Sequence, residues 1–170
     1  MLPILNKHFM LRLTAIVLLA TLAFAAYSLP EDRKEKMHIT ANITTYDYKK
    51  GISYFEGHVI VDQGTTHLTA DRLTTRSNNK HRMEEVIAYG VNELAHFWTT
   101  PKTGEAIINA HGKIIKFYPL TQNTTLQGDV QLTQGENNFH GQLIHYNMND
   151  QTIIVPETKN GRAVLVYNPD

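Results

Sequence analysis

From Met37 onward, polar and apolar positions alternate in short runs broken by turn residues. "ISYFEGHVIVD" places Phe55, Gly57, Val59 and Val61 on one face of an extended chain, and Tyr54, Glu56, His58, Ile60 and Asp62 on the other. Successive side chains of a strand point to opposite sides, so this alternation predicts a strand with one buried face. The same reading predicts strands over 37–41, 68–75, 85–91, 93–99, 104–110, 113–118, 141–147, 152–155 and 162–167. Lys50-Gly51, Gln63-Gly64, Ser77-Asn78-Asn79, Pro101 to Gly104, Gln134-Gly135 and Asn160-Gly161 punctuate them as turns. Threonine, valine, isoleucine and tyrosine fill the runs, and these residues suit a pleated, half-buried surface. With no helical stripe after the leader, about a dozen antiparallel strands imply an all-β roll, sandwich or barrel.

One phrase is written twice. "GHVIVDQGTTHLTADRL" begins at Gly57, and "GDVQLTQGENNFHGQLI" begins at Gly128, 71 residues later. Leu126, Gly128, Val130 and Leu132 share a face, as their counterparts Phe55, Gly57, Val59 and Val61 do, while Gln127, Asp129 and Gln131 lie opposite. The repeat therefore preserves which face is apolar, and that choice fixes strand register. It divides the chain into halves, 37–100 and 105–167, joined by the hairpin-sized "TTPKTGE". Neither half has a linker at its boundary, so one domain is expected. Two such copies can supply two facing sheets whose inward faces line one groove. A duplicated unit kept for folding alone is the competing account.

The first segment changes the compartment. Lys7 and Arg12 precede an apolar run from Leu13 to Phe24, and Ala23 and Ala25 stand where a signal peptidase reads. Twelve apolar residues are short of the roughly twenty that a membrane span needs. Residues 1–25 read as a cleavable signal peptide, 26–36 as a flexible lead-in, 37–167 as the β domain and 168–170 as a tail. The whole chain balances 16 basic against 16 acidic residues. Losing the leader removes two of the basic ones, which leaves no broad pull toward nucleic acid. There is no cysteine, so an exported domain must be held by its core and its hydrogen-bond ladders.

Catalytic chemistry is hard to find. Ser28, Ser53 and Ser77 sit in no nucleophile elbow, and there is no thiol. The histidines of the mature chain, among them His58 and His96, show no metal-ligand spacing, and no cofactor is expected. Glu84-Glu85 is a carboxylate pair, but neighbours on a regular strand face opposite ways. "DRLTTRSNNKHR" gathers Arg72, Arg76, Lys80 and Arg82 near a loop, a candidate cationic rim for phosphorylated head groups or simply a solvated hairpin end.

"MHITAN", "YFEGHVIVDQGTTHLTADRL", "EEVIAYGVNELAHF", "INAHGKIIKF" and "LQGDVQLTQGENNFHGQLIHY" follow one another in an order that resembles the OstA-like, LptA-type family of periplasmic lipopolysaccharide-transport proteins. The resemblance runs from Met37 to Tyr167. It implies a twisted, open, V-shaped antiparallel β-jellyroll with an apolar interior that binds lipid A. It also implies end-to-end stacking on copies of itself, and edge-strand pairing with inner-membrane LptC and outer-membrane LptD. By position in the family's phrases it nominates Met37, Ile39, Phe97, Ile115 and Phe117 as lipid contacts; at the last two the family often carries Tyr and Leu instead. Face parity alone adds Phe55, Val59, Val61, Leu126, Val130 and Leu132. For all of them structural core is the competing role. The alternatives are an LptC-like membrane-anchored relative, a secreted carbohydrate-active β protein, and a β module that assembles without lipid.

Overall fold

The computed structural model describes residues 35–101, 104–157 and 164–166, all within the compact unit that begins at residue 31. The expected signal peptide, most of the lead-in and the C-terminal tail lie outside the described residues. Twelve strands make up the regular structure there: β1 (His38–Thr40), β2 (Ile43–Asp47), β3 (Ile52–Gln63), β4 (Thr66–Ser77), β5 (Met83–Tyr89), β6 (Ala95–Thr99), β7 (Ile108–Gly112), β8 (Ile114–Tyr118), β9 (Asn123–Gln134), β10 (Asn137–Asn147), β11 (Thr152–Ile154) and β12 (Val164–Val166). Strand positions follow the alternation, with shifted ends. β2 has no counterpart in it, because "ITTYD" carries a single aliphatic residue and owes its strand form to pairing with β3.

Four strands are long, and each changes partners midway. Residues 52–56 of β3 pair with β2 and with 72–76 of β4, whereas 59–63 pair with 66–70 of β4, and 60–62 of that stretch also pair with β1. β4 then pairs with β5 through 72–77 and with β6 through 67–69. β9 meets β8 through 123–127 and β7 through 131–134, and β10 meets β11 and β12 through its two ends. Two walls result. The first runs β2-β3-β4-β5-β8-β9-β10-β11, and the second runs β1-β3-β4-β6-β7-β9-β10-β12.

The walls meet along a line of corners. In each copy of the repeat, a bulge sits at a glycine and the residue after it, both left-handed: φ is 77° and 49° at Gly57 and His58, and 75° and 51° at Gly128 and Asp129. Such a bulge bends the strand, which lets one chain serve both walls. Backbone bonds of 2.9 Å join successive corners, from Asn42 N to Gly57 O, Gly90 N to Lys113 O and Lys113 N to Gly128 O. Asp71 Oδ2 accepts from the backbone N–H of Val91 at 2.6 Å and of Asn92 at 2.7 Å, fixing the turn between β5 and β6.

This arrangement corrects the expectation of an open roll. β4, β5, β8, β9, β7 and β6 pair in succession and back to β4, so the middle of the domain closes into a ring. Closure follows from β4 and β9 belonging to both walls. The flanks, β3 with β1 and β2 and β10 with β11 and β12, extend beyond the ring.

Candidate functional site

Between the walls lies one apolar cluster. Phe55, Val59, Val61, Phe97, Ile115, Leu126, Val130 and Leu132 are buried in it, and Met37, Ile39 and Phe117 are half-buried against it. Every residue nominated as a lipid contact therefore belongs to the interior or its margin. Val59 and Val130, the matching positions of the two repeats, are 1% and 2% exposed. The interior is thus filled by its own side chains, and lining and core are the same residues. Each large aliphatic or aromatic side chain buried there contributes roughly 1.5–3 kcal/mol.

The register arranges the interior in layers. Beside the corners lie Val59, Ala95 and Val130, and next to them Phe55, Leu73, Ala88, Ile115, Leu126 and Ile144 cross the first wall. At the strand tips the inward row takes in polar side chains among the apolar ones. On the first wall it holds Ser53, Thr75, Thr124 and Tyr146; on the second it holds Gln63, Thr66, Thr99 and Gln134. Thr66 Oγ1 and Thr99 Oγ1 share a 2.8 Å hydrogen bond. Thr124 Oγ1 and Tyr146 OH are buried without a hydrogen-bond partner among the described residues. Burial, followed by the negative charge of Glu105, pushes the Tyr146 phenol up to about 12. Gln151 Nε2 donates to Glu105 Oε2 at 2.8 Å, tying a tip of the first wall to the loop between β6 and β7 in the second. The alternation reading missed these polar positions. Thr124 and Tyr146 lie in phase with Leu126 and Ile144, and that phase was the signal available.

The four cationic residues have different surroundings. Arg76 is engaged by Glu84 at 3.2 Å and Glu85 at 3.4 Å. Arg72 lies over the Tyr89 ring, 5.9 Å from its centroid, beside an open hollow of about 260 Å³. Lys80 and Arg82 sit in the β4–β5 turn, where their backbone N–H groups donate to Asn78 Oδ1. The acidic pair needs a correction: Glu84 and Glu85 reach the same guanidinium, because a register shift between Arg76 and Ser77 breaks the alternation.

The outward face of the second wall carries a column of rings. His96 and His111 stack at 4.1 Å, Trp98 stacks on His96 at 4.5 Å, and His67 stacks on Trp98 at 5.0 Å. His111 is held below the usual imidazole range, by burial first and by His96 second. His67 Nδ1 lies 2.6 Å from Asp62 Oδ1. No group of residues suited to hold a metal ion occurs among the described residues.

Two walls sharing their long strands around an apolar interior define an antiparallel β roll whose inner surface, rather than any reactive constellation, is its distinctive feature. Comparison with known proteins gives that class a family. Residues 38–152 match the family described as "LptA/(LptD N-terminal domain) LPS transport protein", and the chain belongs to it. Lipopolysaccharide transport, not catalysis, is the activity of this family. Among curated proteins, the chain is 27% identical over 128 residues to the lipopolysaccharide export system protein LptH of Pseudomonas aeruginosa, covering 75% of this chain and 72% of that one. It is 26% identical over 145 residues to the lipopolysaccharide export system protein LptA of Escherichia coli K12, covering 85% and 77%. It shares its fold with the crystal structure of Pseudomonas aeruginosa LptH, described as the periplasmic component of the lipopolysaccharide transport device. The TM-score is 0.75 at 24% identity, over 82% of this chain and 100% of that one.

Proposed function

We propose that this chain is a periplasmic carrier and bridge: it shields the acyl chains of lipid A between its walls and stacks end to end to pass lipopolysaccharide toward the outer membrane. The observation that carries the reading is the pair of walls with inward apolar rows and flanks that end in strands paired on one side only among the described residues. Each methylene withdrawn from water is worth ~0.8 kcal/mol, so releasing an acyl chain into water is slow. Passing it sideways to an equivalent interior nearly cancels the cost. Because the interior is filled by its own side chains, loading requires the tips of the two walls to part. The finer picture of an open V applies to that loaded form.

The flanks support stacking. Val164, Leu165 and Val166 of β12 are 52%, 58% and 48% exposed, and β12 pairs only with β10 among the described residues. Exposed edge strands of this kind accept another strand. A template lies inside the domain, where β5 and β6 of one half meet β8 and β7 of the other, antiparallel. β11 and β12 run from the first wall to the second, as β5 and β6 do, while β1 and β2 run back, as β7 and β8 do. A second copy can therefore repeat the internal junction, β11 against β2 and β12 against β1. The family takes in the N-terminal domain of LptD, so the same pairing extends to LptD at the outer membrane and, at the other end, to LptC. The test is whether the purified mature protein binds lipopolysaccharide in solution and assembles with rising concentration. A folded protein that does neither ends the proposal.

A further inference from the structure

We infer that Thr124 and Tyr146 form a polar subsite within the apolar interior. It takes an oxygen of the bound acyl chain, a hydroxyl or the carbonyl of its ester or amide link, and so fixes how deep the chain sits. This rests on the carrier reading above and names what its site recognises.

The two residues are direct partners across β9 and β10, and each is 2% exposed. Phe117 and Ile153 flank them in the same row, and Leu126 and Ile144 lie in the next row toward the corners. Neither hydroxyl has a hydrogen-bond partner among the described residues. A buried polar group without a partner is costly, and phenylalanine or valine would fill the same space without that cost. Something other than packing of the lone domain therefore accounts for the oxygens. A phenol and a threonine hydroxyl can together donate twice to a carbonyl, or donate and accept with a hydroxyl. The phenol keeps its proton across the physiological range, since its burial favours the neutral form. A site with buried hydrogen-bonding groups rejects a ligand that lacks the matching oxygen, because those groups then stay unpaired. A plain alkyl chain leaves both hydroxyls unsatisfied, and an oxygenated one does not.

The experiment displaces a fluorescent fatty acid from the mature protein with myristate or with β-hydroxymyristate, two probes of equal chain length. Wild type is expected to prefer the hydroxylated probe by about five- to tenfold. Tyr146→Phe and Thr124→Val should each narrow the preference, and the double variant should abolish it, while binding of myristate stays equal or improves. The thermal midpoints of Tyr146→Phe and Thr124→Val should stay level or rise. Equal binding of both probes by wild type, or a preference that survives in the double variant, overturns the subsite and leaves the carrier reading standing. A midpoint that falls on removing either hydroxyl also overturns the subsite, since that hydroxyl is then satisfied within the lone domain. A folded wild-type protein that binds neither probe nor lipopolysaccharide sinks the carrier reading, and the subsite with it.

Discussion

The junction between the two halves and the two flanks are built from the same parts. At the centre, strand pairs broken at the corners meet each other, and Val86, Ala88, Phe97, Ala110 and Ile115 are buried there. At the flanks stand the equivalent pairs, β1 with β2 and β11 with β12, each hydrogen-bonded on one side among the described residues. "VLV" at β12 is as apolar as "II" at the start of β8, yet it lies half exposed. Burial separates the two regions, and burial is set by whether the chain itself provides a neighbour. The flanks carry more apolar strand than their own domain covers, and that surplus is what an assembling partner would use.

Substituting the same residue in both regions tests this contrast most severely. Phe97→Asp puts a carboxylate into the central junction, where ionic groups are unpaired and dry, and should cost at least 3–5 kcal/mol, roughly enough to unfold the domain. Circular dichroism and thermal melting would show the lost transition. Leu165→Asp should leave the stability of the monomer within ~0.5 kcal/mol of wild type while raising the concentration needed for assembly by at least about tenfold. Light scattering reads that second effect. Equal destabilisation by both variants would mean that the flank is ordinary core, and the comparison would fail.

The faces of β3 and β9 were legible in the sequence, because alternation survives the bulge on the bulged strand: Phe55, Val59 and Val61 stay inward on one side of Gly57 and the other. The partner strand was not legible. On β4 the inward positions switch from Leu68 and Ala70 to Leu73 and Thr75, since two residues of β3 oppose one of β4 at the corner. Nor was ring closure legible, because the meeting of β4 with β6 depends on where the chain bends and not on either strand's pattern. The repeated glycine did mark the bend. A glycine followed by a polar residue in mid-strand, twice, is what a left-handed corner needs, though alternation alone gives it no such meaning. Glu84 and Glu85 failed for the same reason on a smaller scale, a local register shift at the strand end.

The two corners sharpen the comparison between the halves at moderate cost. Gly57→Ala and Gly128→Ala each force an L side chain into positive φ, with the new Cβ 2.7 Å from Asn42 Nδ2 in the first case and 3.0 Å from the Lys113 side chain in the second. Each should destabilise by about 1–2 kcal/mol, read as a shift in the urea midpoint. Gly57→Ala should also weaken assembly, because Asn42 joins β1 to β2 at the flank. Gly128→Ala should not, because Lys113 lies in the central junction and not at a flank.

The smallest effect concerns acid. Asp71 and Asp129 both sit at corners, and both have carboxyls held below the ordinary 3.8, for different reasons. Backbone N–H bonds from Asn92 and then Val91 lower Asp71, while side-chain bonds from Lys113 and then Gln142 lower Asp129. A folded-state pKa below the unfolded one means that the folded protein binds the proton less well. Each carboxylate therefore contributes stability that is complete well above pH 3.8 and is lost as pH falls through its lowered folded value. Asp129 is exposed and Asp71 lies partly exposed at the surface, so the contributions are small. Salt tells them apart. The 2.6 Å contact of Lys113 Nζ with Asp129 is a surface ion pair, and roughly 1 M salt should screen it. The directed N–H bonds to Asp71 should persist. Carboxyl titration by NMR at low and high salt should show Asp129 returning toward 3.8 and Asp71 staying low, and Asp71→Asn should flatten the acid limb of the stability curve at either salt. If both carboxyls return together, long-range charge and not the corner's own hydrogen bonding holds Asp71 down.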